Sequence, residues 1–156
     1  MMNILTTQYT LQYKSLDIYV AGCRGDKGVH CTSCHNPNSW DFNQGDLYNA
    51  LYFNSIKNKV IEFNNLIDNI IIFGGEPLDQ NHDELLHMLL DLKSLNKQIW
   101  IFTRYEIDKI PKEIKELCDY IKCGRYLPEL TSDSNIMYDI TLATSNQFIY
   151  KKGLNY

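Results

Sequence analysis

The feature that most constrains the fold of this chain is an alternation of short apolar runs with stretches of helical pattern. Four runs have the length and composition of strands, at 16–21, 69–73, 98–103 and 119–123. A stretch predicted to be helical lies between each successive pair, at 46–64, 83–96 and 111–117. Strands that alternate with helices form βαβ units, so we expect an α/β fold with a mostly parallel sheet.

The segments outside this alternation have weaker patterns. Residues 23–43 are rich in Gly, Asn, Pro and Ser, which predicts an irregular loop. Residues 138–151 are expected to be extended. The helix that follows Pro77 is expected to be capped by Asp79 or Asn81.

Three polar motifs follow three of the predicted strands. Cys23 comes after the first strand, the sequence GGEP at 74–77 after the second, and the sequence TRY at 103–105 at the end of the third. In an open parallel sheet, ligands bind beyond the carboxyl ends of the strands. We therefore expect these three loops to share one edge of the sheet.

Composition and charge exclude several classes of function. The 156-residue length suits one domain with a hydrophobic core, assigned here to residues 1–156, and a net charge of −4 does not favour binding to nucleic acid. The N-terminal sequence makes a poor signal peptide, and no apolar run is long enough to span a membrane. Five cysteines without an export signal indicate the cytoplasm, where clustered cysteines bind metal or do chemistry more often than they form disulfides.

Three of the five cysteines lie within twelve residues, at Cys23, Cys31 and Cys34. Three thiolates suit a zinc ion with His30 or His35 as the fourth ligand. They also suit a 4Fe-4S cluster with one iron that has no protein ligand. The cysteines alone leave both interpretations open.

The GGEP motif is also open to two interpretations. Gly74 and Gly75 let the backbone approach a ligand closely, and Glu76 can accept hydrogen bonds from an ammonium group. A plain turn from strand to helix would use the same glycines and Pro77. A cysteine trio at the same sheet edge favours the ligand site.

Together these motifs resemble the radical S-adenosylmethionine (SAM) superfamily, which pairs a three-cysteine loop after its first strand with a GGE motif after its second. Within it, the chain is similar to the activating proteins of anaerobic ribonucleoside-triphosphate reductase, a glycyl-radical activase family. The stretches that carry the resemblance are CHNPNSW at 34–40, FGGEPLDQ at 73–80, IWIFTRY at 99–105, DYIKCGRY at 119–126 and TSNQ at 144–147.

The resemblance implies a fold and a set of ligands. The fold would be a partial barrel of TIM type, with mostly parallel strands and flanking helices in a single radical SAM domain. Cys23, Cys31 and Cys34 would bind three irons of a 4Fe-4S cluster, and SAM would chelate the fourth. Gly74, Gly75 and Glu76 would contact the methionine part of SAM. Ser33 and His35 would lie near the adenine, and Thr103 near the ribose.

The resemblance also implies an activity and partners. Reductive cleavage of SAM would generate a glycyl radical on the large subunit of an anaerobic ribonucleotide reductase, with a flavodoxin- or ferredoxin-type electron donor. Another minimal radical SAM enzyme is an alternative, either a different glycyl-radical activase or a protein like 7-carboxy-7-deazaguanine synthase. A small non-catalytic zinc or iron–sulfur protein is a third interpretation.

The chain departs from the family pattern at several places, among them Ser33 where an aromatic residue is common, and LQYKSLD at 11–17 where a Gly-rich stretch with Arg is usual. The first two cysteines are separated by seven residues, RGDKGVH at 24–30, where three are usual. Arg104 stands where the family tends to have Gly after Thr, and Cys123 where it tends to have Asp. The longer loop is expected to preserve the chemistry, since each doubling of a closed loop costs only about 0.6 kcal/mol.

Two further features each allow a structural and a functional interpretation. The basic residues Arg24 and Lys27 predict either a solvated loop tip or a docking site for an acidic electron donor. Cys118 and Cys123 are expected to be packed thiols, with a second metal site as the alternative.

Overall fold

The computed structural model describes all residues from 1 to 156. Its three α-helices are α1 (Ala50–Glu62), α2 (His82–Lys93) and α3 (Lys112–Leu117). Its nine strands are β1 (Asn3–Thr10), β2 (Ser15–Val20), β3 (Asp46–Leu47), β4 (Asn69–Gly74), β5 (Gln98–Phe102), β6 (Tyr120–Cys123), β7 (Ile136–Met137), β8 (Ile140–Thr141) and β9 (Phe148–Lys151).

Seven strands form one sheet in the order β3-β1-β2-β4-β5-β6-β9. The central strands β2, β4, β5 and β6 are parallel, whereas β1, β3 and β9 pair antiparallel with their neighbours. This confirms the α/β class and the mostly parallel sheet. The sheet is open, because β3 and β9 form its two edges, and its description as part of a TIM-type barrel stays a prediction, as does the single domain.

The register of the parallel strands explains why they form a sheet with two buried faces. Ile18, Ile72, Ile101 and Ile121 are aligned across the four strands, and all four are fully buried. They belong to the larger core, to which α1, α2 and α3 all contribute apolar side chains. Side chains alternate between the two faces of a strand, so the four isoleucines lie on the same face of the sheet. The helices cover that face.

The opposite face has its own, smaller core. Ile71, Trp100 and Tyr120 are aligned there, and the rings of Trp100 and Tyr120 stack with their centroids 3.8 Å apart. Residues of the C-terminal part of the chain, Ile140 and Leu142, pack against them instead of a helix. The predicted extended segment at 138–151 thus supplies β8, β9 and the cover of this face.

The N-terminal half differs from the sequence-based expectation in two respects. The helix predicted at 46–64 is shorter, because the Asn49 side chain accepts a hydrogen bond from the backbone N–H of Tyr52 and so begins the helix at Ala50. Residues 46 and 47 pair instead with β1, a strand that the sequence pattern did not indicate. On α1 only Ile56 and Val60 are buried, while Leu51 is 78% exposed.

The remaining elements agree with the sequence pattern to within a few residues. The helix after GGEP begins at His82, and its cap is Asn81, whose side chain accepts hydrogen bonds from the backbone N–H groups of Asp83 and Glu84. The loop at 23–43 is irregular apart from a 3₁₀ turn at Pro37–Trp40. None of the helices has the length and apolar content needed to cross a membrane.

Two neighbouring leucines on α2 test how this face of the sheet is covered. Leu89 is fully buried, whereas Leu90 is 53% exposed. Leu89→Ala is expected to lower the free energy of unfolding by about 2–5 kcal/mol, because it leaves a cavity in the larger core. The matched change Leu90→Ala is expected to alter it by less than about 0.5 kcal/mol. Urea unfolding followed by circular dichroism measures both, and equal losses would contradict the packing described here.

Candidate functional site

The loops after β2, β4 and β5 meet at the carboxyl edge of the sheet, as the topology predicted. They enclose a cavity of about 440 Å³. All nine residues singled out in the sequence as binding residues line it: Cys23, Cys31, Ser33, Cys34, His35, Gly74, Gly75, Glu76 and Thr103. The structure therefore brings the three motifs together, while the individual roles of these residues stay predictions.

The cysteine loop and the GGEP loop touch through their backbones. The Glu76 N–H donates to the Gly22 carbonyl at 2.8 Å, and the Gly75 N–H donates to the Val20 carbonyl at 2.9 Å. A Cβ on Gly75 would lie 2.2 Å from the Gly22 oxygen, so no larger residue fits there. The need for glycine thus comes from contact between the two loops.

The Glu76 carboxylate points into the protein and is 2% exposed as a residue. Its Oε1 accepts from the Thr103 hydroxyl at 2.6 Å and from the Leu78 N–H at 3.0 Å. Its Oε2 accepts from the Arg104 N–H at 2.8 Å, with the Arg104 guanidinium at 3.2 Å. Burial raises the pKa of Glu76, and these donors oppose that rise. The side chain therefore holds the loop after β5 against the loop after β4.

The three clustered cysteines are half-buried and form no disulfide. Burial raises the pKa of Cys23, opposed by the Gly25 N–H, which donates to the Cys23 sulfur at 3.4 Å. In a 4Fe-4S cluster each thiolate binds a different iron, so three thiols that line one cavity could hold three of the four irons.

His30, one candidate for a fourth zinc ligand, is engaged elsewhere. Its Nε2 donates to the Cys23 carbonyl oxygen at 2.8 Å. Its ring stacks on Trp40 with the centroids 3.9 Å apart. Both contacts hold the cysteine loop together, so the structure gives His30 a structural role. The three thiols at one cavity are a soft donor set that fits an iron–sulfur cluster, and His35, which also lines the cavity, remains the candidate for a fourth zinc ligand.

Two cationic residues of the site were not among the binding residues predicted from the sequence. Lys122, on β6, lines the cavity, and its Nζ makes one hydrogen bond, to the Gly124 carbonyl at 3.0 Å. Burial lowers the pKa of Lys122 to about 8, against the opposing charge of Glu76. Arg104 also lines the cavity and lies beside Glu76. A lysine inside an otherwise apolar strand was the one signal in the sequence that could have indicated Lys122.

The other two cysteines are packed thiols, as expected. Cys118 and Cys123 are buried in the larger core. Burial raises the pKa of each to about 12. These thiols stay protonated at neutral pH, and protonated thiols are poor nucleophiles and poor metal ligands.

This difference predicts two classes of cysteine in the metal-free protein. At pH 8 roughly one thiol in ten thousand is ionised when the pKa is about 12, so Cys118 and Cys123 are expected to resist iodoacetamide in the folded protein. Cys31 and Cys34 are expected to react, with Cys23 slower than either. Mass spectrometry of the alkylated chain measures each site, and the urea-unfolded protein, alkylated at all five, is the control. Reaction of Cys118 as fast as Cys34 would contradict this arrangement.

Comparison with known proteins points in the same direction as the site. Residues 14–149 match a family model described as a 4Fe-4S single cluster domain. A protein of Haemophilus influenzae named anaerobic ribonucleoside-triphosphate reductase-activating protein is 26% identical over 141 residues, which is 86% of this chain and 85% of that relative. Proteins of the same name from Escherichia coli (strain K12) and Salmonella typhimurium are 25% and 24% identical over 140 residues, 85% of each chain.

Proposed function

This chain belongs to the family of 4Fe-4S single cluster domains, and from that membership we propose that Cys23, Cys31 and Cys34 hold one such cluster. The observation that carries the proposal is the position of three free, half-buried thiols at one cavity beside the GGEP backbone. Three cysteines leave one iron for a small molecule, and we propose SAM as that molecule.

We further propose that the protein is a radical SAM activase for an anaerobic ribonucleoside-triphosphate reductase. Three relatives that carry that activating function in their names are similar over about 85% of the chain, which supports the proposal. When bound, the cluster supplies the electron for reductive cleavage of SAM, the chemistry by which a glycyl radical is made on the large reductase subunit.

The residues of the chain bind and orient in this proposal. Gly74 and Gly75 offer backbone to the methionine end of SAM, and the Lys122 ammonium, with two N–H groups free of protein partners, meets the carboxylate. Ser33 and His35 lie on the adenine side. Thr103, bonded to Glu76, lies on the ribose side.

An apolar wall of the cavity comes from the strands of the sheet. The rings of Tyr19, Phe73 and Phe102 form a row at the ends of β2, β4 and β5, with centroid distances of 5.4 and 4.5 Å. Leu142 and Ile140 extend this wall. An apolar wall shields reactive chemistry from solvent, and the protein's share of the reaction is this positioning and exclusion.

Anaerobic reconstitution with iron and sulfide tests the proposal directly. The native protein is expected to bind four irons per chain, and with reductant and SAM to form 5′-deoxyadenosine. Cys34→Ala is expected to abolish both. Cys118→Ala, which removes a buried thiol outside the cavity, is the matched control and is expected to retain both. A native protein that binds zinc in place of iron, with no visible cluster absorption, would refute the proposal.

The protein substrate needs a separate experiment. The reconstituted protein is mixed with SAM, reductant and the large subunit of an anaerobic ribonucleotide reductase. We expect the electron paramagnetic resonance doublet of a glycyl radical, which disappears with Cys34→Ala. Formation of 5′-deoxyadenosine without that signal would keep the SAM chemistry and reject the reductase as the substrate.

Lys122→Met tests the proposed contact to the SAM carboxylate. Loss of one charge-assisted hydrogen bond is expected to weaken SAM binding roughly ten- to hundredfold without changing the iron content. Lys109→Met, at an exposed lysine outside the cavity, is the control and is expected to bind SAM normally. Equilibrium dialysis with the reconstituted proteins gives both dissociation constants, and equal values would remove Lys122 from the site.

A further inference from the structure

A second buried carboxylate lies in the loop after β4, one turn beyond Glu76. The side chain of Asp79 is 1% exposed. Its Oδ1 accepts from the Tyr105 hydroxyl at 2.8 Å and from Arg104 Nη2 at 3.0 Å. Its Oδ2 accepts from Arg104 Nη1 at 3.0 Å and from the Arg24 backbone N–H at 2.6 Å. Four donors satisfy this carboxylate, and they come from two other loops.

Arg104 connects the same loops from the other side. Its guanidinium is 13% exposed and forms a two-point contact with Asp79. It also lies 3.2 Å from Glu76 and donates to the Gly25 carbonyl oxygen at 2.7 Å. A planar guanidinium with several fixed donors can serve all these acceptors at once, which a lysine cannot.

These contacts lie at the base of the RGDKGVH segment, residues 24–30, which we refer to as the insert. Asp79 holds the peptide N–H directly after Cys23, and Arg104 holds the carbonyl of Gly25. The rest of the insert turns back on itself, because Asp26 and Val29 exchange two backbone hydrogen bonds of 2.8 and 2.9 Å. Residues 26–29 therefore form a closed turn, while Arg24 and Gly25 are held by Asp79 and Arg104.

We propose that the Asp79–Arg104 pair is a positioning device that clamps the base of the insert to the GGEP loop and fixes Cys23 for cluster binding. Neither residue needs to contact iron or SAM for this role. The role in cluster binding rests on the proposed function, but the positioning of Cys23 does not, because it exists in the metal-free chain.

The proposal is tested first without metal. In Arg104→Gln we expect alkylation of Cys23 to become at least tenfold faster, while the rates at Cys31 and Cys34 change less than twofold. Trypsin is expected to cleave after Arg24 and Lys27, both in the insert, at least tenfold faster. A general loss of structure would instead accelerate all three cysteines, and circular dichroism identifies that case.

Matched variants separate the clamp from other contacts of the insert. Arg125→Gln removes a partly exposed ion pair of 2.6 Å with Asp26 at the tip of the insert. It is expected to leave the Cys23 rate within twofold, because the base of the insert remains clamped. Tyr105→Phe removes one donor to Asp79 and one acceptor for Arg104 but no charge, so it is expected to accelerate Cys23 two- to fivefold. This variant decides the matter if Arg104→Gln does not fold.

The second measurement is made on the reconstituted proteins. Release of iron to a chelator is expected to be at least fivefold faster from Arg104→Gln than from the native protein or Arg125→Gln. Unchanged Cys23 reactivity in folded Arg104→Gln and Tyr105→Phe, or unchanged iron release, would overturn the proposal. If the native protein binds no cluster, the proposed function fails, and the thiol and trypsin rates still decide whether the pair positions Cys23.

Discussion

Two buried carboxylates, Glu76 and Asp79, determine how the loops of the site are arranged. A buried charge is costly unless partners satisfy it, and removing one partner costs more than the pair contributes. Here nearly all of the partners belong to the neighbouring loops: the Thr103 hydroxyl, the Arg104 guanidinium and the backbone N–H groups of Arg24 and Arg104. Each carboxylate therefore connects neighbouring loops, and at the edge of the sheet both buried carboxylates are paired with Arg104.

The sequence predicts features that depend on neighbouring residues, and it does not predict contacts between residues that are far apart in the chain. The parallel sheet and the shared edge follow from local patterns, such as the buried run at β4 and the apolar stripe on α2. β1 was missed because its residues are only partly buried and it lies near the edge of the sheet. The contact of Arg104 with the cysteine loop was missed because its partner Gly25 is 79 residues away. A long-range polar contact has no periodicity, so only the folded chain shows it.

The proposed clamp connects two features that looked unrelated in the sequence, the insert at 24–30 and Arg104. Both are departures from the radical SAM pattern that the sequence resembles, which has a shorter cysteine loop and tends to have glycine after Thr. In the structure the Arg104 guanidinium donates to the insert itself. Closing a longer loop costs little entropy, about 0.6 kcal/mol per doubling, but a longer loop samples more positions of its first cysteine. A glycine at 104 would provide no side chain to restrict that motion. The two changes therefore make physical sense as a pair, since the arginine compensates for the freedom that the insert adds.

The groups that line the cavity come from two parts of the fold, and this origin determines their chemistry. The loops beyond the strands contribute thiols and glycine backbone. The strands contribute the aromatic row of Tyr19, Phe73 and Phe102, and Lys122 lies beside Phe102 in the register of β5 and β6. Phe73 and Phe102 pack against the smaller core, on the face of the sheet without helices. Because Lys122 lies at the end of this apolar row, burial lowers its pKa. The strand register therefore places the one ammonium group of the cavity, and with it the position at which an anionic part of a ligand would bind.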